Sequence, residues 1–241
     1  NACRENEKVI GIYCLDPRHF ETTQYGFKKT EKFRTQFLLE TLTELQENLG
    51  EKNISLLVYY GYPEQLIPEV AAKYQIDTIY SQNEWTQEEV DVETEVRNLI
   101  PAVNWKTYYD QFLFHPDDVP YDDWEKIPEV FTEFRKQLEK KIRVRPTVVI
   151  SAKPIANLIE EKTNIPTLED LGFDEFKQPN KTAFPFKGGE NQAKKRIKDY
   201  FWDTKKLAVY KKTRNGLVGK DYSSKLSAWL ANGSISARMI Y

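Results

Sequence analysis

Val9-Ile10-Gly11-Ile12-Tyr13-Cys14-Leu15 is a short apolar run stopped by Asp16-Pro17, and Ile54-Ser55-Leu56-Leu57-Val58-Tyr59-Tyr60 is a second that ends at Gly61. Apolar runs of this length, bounded by turn formers, read as buried strands. What lies between them decides the fold. From Thr30 to Leu49 the residues Phe33, Phe37, Leu38, Leu42, Leu45 and Leu49 recur at helical spacing, and Gly50 supplies a stop. The alternation then repeats. Pro63 to Tyr74 reads as a helix with proline in its first turn, Ile76 to Ser81 as a strand, Thr86 to Leu99 as a helix and Val103 to Tyr109 as a fourth strand. Strands that alternate with helices over short connections imply parallel pairing through crossover helices. Residues 1–115 are therefore expected to form an α/β domain with a doubly wound parallel sheet, Rossmann-like or flavodoxin-like. Such sheets take ligands outside the carboxyl ends of their strands. Only a few residues precede the first strand, so one further leading strand is expected to be missing.

Downstream the order dissolves. Prolines at 116, 120, 128, 146, 154, 166 and 179 punctuate the chain, with one helix expected from Pro128 to Val144. Residues 116–185 read as a connector laid along the domain surface, too long for a simple loop. After Gly188-Gly189 helical patterns return, from Glu190 to Phe201, from Ser223 to Ala231 and from Ser234 onward. Three short helices bury too little to stand alone. They read as the opening of a larger all-helical domain, truncated at Tyr241.

Charge divides the chain in the same place. Residues 181–241 hold 14 Lys/Arg against 4 Asp/Glu, a net of +10, whereas residues 1–180 hold 21 against 33, a net of −12. A basic segment on an acidic body suits a polyanion such as nucleic acid or a phosphate-bearing cofactor, and equally suits a solvated helix face. No apolar run reaches the 18 residues of a membrane span. The polar start, Asn1 to Lys8, has no secretory pattern, and two cysteines, Cys3 and Cys14, make neither a disulfide framework nor a metal cluster. A reduced, cytoplasmic protein is expected.

The common catalytic motifs are missing, including glycine-rich dinucleotide loops, phosphate-binding loops, metal-ligand spacings and nucleophile elbows. His19 and His115 lie among loop residues and read as packing groups. No catalytic residue and no metal ligand is assigned. The segment Tyr222-Ser223-Ser224-Lys225-Leu226-Ser227 offers hydroxyls, backbone N–H groups and a cation, the equipment for holding a phosphate. Its plainer reading is a serine cap on an amphipathic helix.

The same stretch carries a resemblance. Phe186-Lys187-Gly188-Gly189-Glu190, followed by Ala193, Arg196 and Tyr200-Phe201, is similar to the segment that opens the helical domain of the cryptochrome/photolyase family. Tyr210-Lys211-Lys212-Thr213-Arg214-Asn215-Gly216-Leu217 resembles the "YKxTRNG" pattern of its DASH branch. Ser223-Ser224-Lys225-Leu226-Ser227 resembles the family's phosphate clamp, and Ala231-Asn232-Gly233 with Ser236-Ala237-Arg238 resembles the continuation of that clamp. Looser matches run through Asp16-Pro17-Arg18, Arg34 to Glu40, Gly61 to Glu64 and Glu88 to Glu93. The family's "FRxDLR" first strand is absent.

The resemblance implies an α/β domain before a helical domain that holds FAD, with 5,10-methenyltetrahydrofolate as an expected antenna. In the family, light-excited reduced flavin passes an electron to a cyclobutane pyrimidine dimer flipped out of DNA, which splits. DASH members are expected to prefer dimers in single-stranded DNA. Residue by residue, Tyr210, Ser223, Ser224, Lys225, Leu226 and Ser227 carry over as FAD-binding positions. Glu84 and Glu88 carry over as antenna positions, and Arg214 as a DNA contact, with Lys211 and Lys212 beside it. Two other readings stay open at this stage. One is a non-catalytic nucleotide-binding or signalling module built on the α/β domain, and the other is a light-signalling cryptochrome without repair activity.

Overall fold

The computed structural model describes residues 1–241, Trp124 through its backbone alone. One helical turn, α1 (Ala2–Glu5), leads into β1 (Gly11–Leu15), α2 (Lys32–Gly50), β2 (Leu56–Tyr60), α3 (Pro63–Lys73), β3 (Thr78–Gln82), α4 (Gln87–Leu99) and β4 (Asn104–Tyr108). The expected alternation is present, with ends that differ by one or two residues, as helix and strand termini do. All pairing is parallel. Gly11 lies opposite Leu56 and Leu15 opposite Tyr60, while Thr78 lies opposite Asn104 and Gln82 opposite Tyr108.

The sheet differs from a single continuous one. β1–β2 and β3–β4 form two two-stranded ladders without hydrogen bonds between them. Instead α3 joins the two halves, packing on α4 and touching β1. Glu5 of α1 ties the second ladder to the amino terminus, accepting from Tyr80 Oη at 2.9 Å and Lys106 Nζ at 2.7 Å.

The connector is structural. Its Leu171 and Phe173 are buried in one cluster with Leu15, Phe20, Leu39, Leu42, Leu56 and Val58. Polar side chains then close the free edge of β2, which would otherwise present unpaired backbone groups. Thr163 Oγ1 accepts from Val58 N at 2.7 Å, and Gln46 Nε2 donates to Leu56 O at 3.0 Å. Asn157, 5% exposed, accepts from Val9 N at 2.7 Å and donates to Val9 O and Asn53 O. The connector helix, α5 (Phe131–Lys141), is shorter than the expected 128–144, because Ile142 turns to extended backbone.

The remaining elements are α6 (Glu190–Ile197), a π-helical turn over Lys198–Asp203, a 3-10 turn over Lys206–Val209, α7 (Tyr210–Thr213), α8 (Ser227–Ala231) and α9 (Ala237–Ile240). Two helix expectations need correcting here. The helix expected over 190–201 changes to π-helical form after Ile197, and the helix expected from Ser223 begins only at Ser227. Trp229, fully buried, centres a cluster with Ala193, Leu226 and Ile235, and Phe37 of α2 packs against it. The Gly188-Gly189 pair lets the chain settle onto α2. A Cβ at Gly188 would sit 2.1 Å from Phe37 O, and Gly189 has φ +110°. Glu40 Oε2 accepts from Gly188 N at 2.8 Å, and Glu44 Oε1 from Asn191 N at 2.6 Å. No described helix is long and apolar enough to cross a membrane.

Candidate cofactor and nucleic-acid site

The loop 220–227 takes its shape from Arg196, a side chain the sequence reading quoted but gave no role. Arg196 is 2% exposed. Its Nε donates to Ser224 O at 3.0 Å, and Nη2 donates to Lys220 O at 2.9 Å and Ser223 O at 3.2 Å. Nη1 donates to Asp199 at 2.6 Å and to Asp221 at 3.2 Å. These five bonds match the five N–H groups a guanidinium owns. The rings of Phe186 and Tyr200 lie 4.8 and 4.9 Å from its central carbon. A clue was available in sequence: Arg196, Asp199 and Tyr200 stand at helical spacings of three and four.

Trans peptide units carry C=O and N–H on opposite sides. With the carbonyls of Ser223 and Ser224 drawn to Arg196, the N–H groups of Ser224 and Lys225 point away from it. Among the described residues neither N–H has a hydrogen-bond acceptor, and the hydroxyls of Ser223, Ser224 and Ser227 have no partner either. Lys225 adopts φ +63° ahead of Leu226 at φ −74°, an opposite-handed pair of the kind that gathers successive N–H groups into an anion-binding concavity. Leu226 is the anchor, buried beside Trp229. Lys225 Nζ lies 3.3 Å from the centre of the Tyr222 ring. Ser227 is the first residue of α8 rather than its cap, and the preceding Leu226 makes no side-chain cap bond. The capping explanation for these serines therefore fails. Unspent N–H and O–H donors beside a lysine suit a phosphate or pyrophosphate.

Tyr210 opens α7 at 41% exposure. α7 is bound to the same loop, since Thr213 Oγ1 donates to Tyr222 O at 3.0 Å. Lys211, Lys212 and Arg214 are exposed, as are Lys205 and Lys220, and among the described residues none of the five forms an ion pair. Three other cations of the segment are paired: Lys194 with Glu190 and Arg238 with Asp110, both at 2.6 Å, and Arg196 with Asp199 and Asp221.

A cleft of about 1360 Å³ separates the α/β body from residues 228–237, with Phe37, Arg34, Glu84, Glu89, Asp110 and Asn232 among its walls. Glu84, one of the two expected antenna positions, lines this cleft. Glu88 does not line the cleft: it pairs with Lys29 at the surface, its side chain 66% exposed. Consecutive residues on a helix diverge by about 100°, so Glu89 faces the cleft when Glu88 faces solvent. Burial lowers the pKa of His19, another wall residue.

Two of the looser motifs at the front of the chain, Asp16-Pro17-Arg18 and Gly61 to Glu64, meet at the carboxyl ends of β1 and β2. Arg18 donates through Nε and Nη2 to Asp16 and through Nη1 to Glu64 at 2.8 Å. Burial opposes ionisation of Asp16, but the Arg18 bonds outweigh it and hold the carboxyl below its ordinary value. The group is internally satisfied, a pin between two strand ends.

Comparison with known proteins completes the picture. A family model for DNA photolyase matches residues 1–154. Cryptochrome DASH of Gloeobacter violaceus is 39% identical over 243 residues, and cryptochrome DASH of Synechocystis is 40% identical over 250 residues. Each alignment takes in 100% of this chain and 48% and 49% of the relative, so the chain spans about half the length of the curated relatives it matches. The crystal structure of a Synechocystis cryptochrome superposes with a TM-score of 0.88 at 40% identity, covering 97% of this chain and 49% of that one. An archaeal photolyase from Sulfolobus tokodaii, solved with two FAD molecules, shares the fold at a TM-score of 0.71 and 20% identity. A matched family model over most of the chain, parallel α/β architecture and relatives of one name together establish that this chain belongs to the DNA photolyase family, and that it is similar over its whole length to the cryptochrome DASH proteins.

Proposed function

We propose that the polypeptide carrying this sequence is a flavin-dependent, light-driven protein of its family, acting in repair of cyclobutane pyrimidine dimers or in blue-light reception. The loop 223–227 carries the reading: two backbone N–H groups and three hydroxyls stand unspent beside Lys225, where the family's phosphate clamp falls. FAD, when bound, supplies the light absorption and the transferable electron. This chain's own contribution is to hold the phosphates, through Ser223, Ser224, Ser227 and the N–H groups of Ser224 and Lys225. Leu226 fastens the loop to its core, and Tyr210 borders it.

Chain 1–241 alone is expected to hold FAD weakly, because an open half-site forfeits most of the burial that gives affinity. The cleft containing Glu84 and Glu89 is our candidate for a methenyltetrahydrofolate antenna. Lys211, Lys212 and Arg214 form the proposed DNA face, for single strands in preference, where flipping a dimer out costs least. The two free cysteines suit a reducing compartment such as the cytoplasm, and burial pushes the Cys14 thiol up to about 12.

The test uses the full-length polypeptide, its flavin spectrum and the splitting of a dimer in a single-stranded oligonucleotide under blue light. A protein that stays colourless through gel filtration overturns the flavin assignment. Arg214→Glu is expected to weaken binding to damaged and undamaged strands alike, since phosphate contacts carry no base information. It should also flatten the fall of log affinity with log salt by about 0.7 per contact removed. An unchanged salt slope would show the α7 surface to be merely solvated.

A further inference from the structure

We propose that Arg196 is the positioning residue of the phosphate-holding loop: it gathers the carbonyls of Lys220, Ser223 and Ser224 inward, so that the N–H groups of Ser224 and Lys225 face outward together. The proposal rests on the flavin-phosphate reading of that loop. Three observations carry it. The guanidinium is 2% exposed, so it does not itself offer a cation to a ligand arriving from solvent. All its N–H groups are committed, three of the five bonds going to backbone carbonyls spread over five residues of one loop. It sits in a slot beside the rings of Phe186 and Tyr200, whose centres lie 4.8 and 4.9 Å from its central carbon, and the remaining two bonds go to Asp199 and Asp221.

A loop without regular secondary structure ordinarily samples many orientations of its peptide planes, and ordering it on binding weakens affinity. Here the ordering is done beforehand, from behind. A point-charge ammonium cannot reproduce this, because lysine lacks the planar fork that reaches several acceptors at fixed angles. Arg196 thus acts on the ligand only through the loop.

The experiment compares three versions of the full-length polypeptide: unmodified, Arg196→Lys, and the Ser223→Ala/Ser224→Ala pair. FAD affinity and amide hydrogen exchange are read with and without FAD. Arg196→Lys is expected to weaken FAD binding by about tenfold or more, the scale of losing hydrogen bonds to a charged group. FAD-induced protection at Ser224 and Lys225 should disappear, while the core amides of Leu57 and Val58 stay protected. Unchanged affinity or unchanged loop protection in Arg196→Lys overturns the proposal. If the serine pair also keeps full affinity, and FAD protects neither amide in the unmodified protein, the phosphate-clamp reading itself has failed. If the serine pair loses flavin while Arg196→Lys does not, only the positioning role has failed. Should Arg196→Lys unfold residues 186–241, Phe186→Leu loosens one face of the slot without a change of charge. About threefold weaker FAD binding is then expected, in keeping with a modest packing change, and an unaltered affinity overturns the proposal.

Discussion

Arg196 and Glu161 are two charged hubs that fasten loops, and they do so in opposite ways. Arg196 is enclosed and meets five acceptors, three of them carbonyls of one loop. Glu161 sits at the protein surface and gathers donors from two neighbouring elements, accepting from Tyr59 at 2.8 Å, Lys73 at 2.6 Å and Tyr74. One shapes a loop; the other docks the connector against β2 and α3. They also differ in what can undo them. Hydrogen bonds from Lys73, Tyr74 and Tyr59 lower the Glu161 pKa to about 2, so acid can discharge it. Guanidinium groups as a class keep their charge wherever a fold survives. A fixed charge under the candidate cofactor loop and a titratable one under the connector make the first permanent and the second conditional.

The sharpest way to break this contrast is to remove each charge in turn. Arg196→Met leaves three carbonyls and two carboxylates facing an uncharged side chain. The two carboxylates are partly exposed and can turn to water, so the cost is that of buried carbonyls left without donors, about 1–3 kcal/mol. Loss of near-ultraviolet dichroism from the Trp229 cluster, with the α/β half still folded, is the expected result in a denaturant titration. A loss below about 1 kcal/mol would show that the cage contributes little net stability.

Glu161→Gln tests the conditional hub. A carboxyl held below its ordinary 4.5 stabilises the fold at pH values above 4.5, and this contribution drains away as pH falls toward about 2. The unmodified protein should therefore loosen its connector across that window. Glu161→Gln should start less stable near neutrality and show a shallower acid dependence between those limits. Hydrogen exchange at Val58, whose N–H is covered by Thr163, reports the docking directly. Identical acid profiles for the two proteins would remove Glu161 from the account.

The smallest effect is expected at Tyr200. Its hydroxyl is buried without a hydrogen-bond partner, and burial raises its pKa. Tyr200→Phe keeps the ring against Arg196 and removes an unsatisfied polar atom. A gain of up to about 1 kcal/mol is expected, because buried unpaired hydroxyls destabilise. A loss of stability would reveal a partner for that oxygen.

The alternation of β1, α2, β2, α3, β3, α4 and β4 was legible because short apolar runs stopped by turn formers and apolar residues at helical spacing leave direct marks in a sequence. The loop 223–227 was legible through its motif, yet its mechanics were not. The serines looked like helix caps, whereas the helix starts at Ser227 and the caps do not exist. Glu88 looked as eligible as Glu84 until the rotation of α4 turned it toward Lys29. Glu40 stood only at the end of a loose match and Glu44 carried no signal, since a glutamate that accepts from Gly188 N or Asn191 N looks like any other helix glutamate in a sequence.

What the sequence determined by itself was local: element types from periodicity, chain-breaking points from proline and glycine, the family from contiguous motifs, and the charge excess past residue 180. Those properties depend on neighbours along the chain. Only the tertiary structure decided that Thr163 covers the edge of β2, that Asn157 and Glu161 tie the connector to Val9, Asn53 and the Tyr59 hydroxyl, that the Gly188 backbone meets the carbonyl of Phe37, and that Arg196 supports the loop beside Tyr200. These contacts join residues from 4 to about 150 positions apart. Their formation depends on distances set when hydrophobic clusters around Leu42 and Trp229 close, and no linear pattern records such distances.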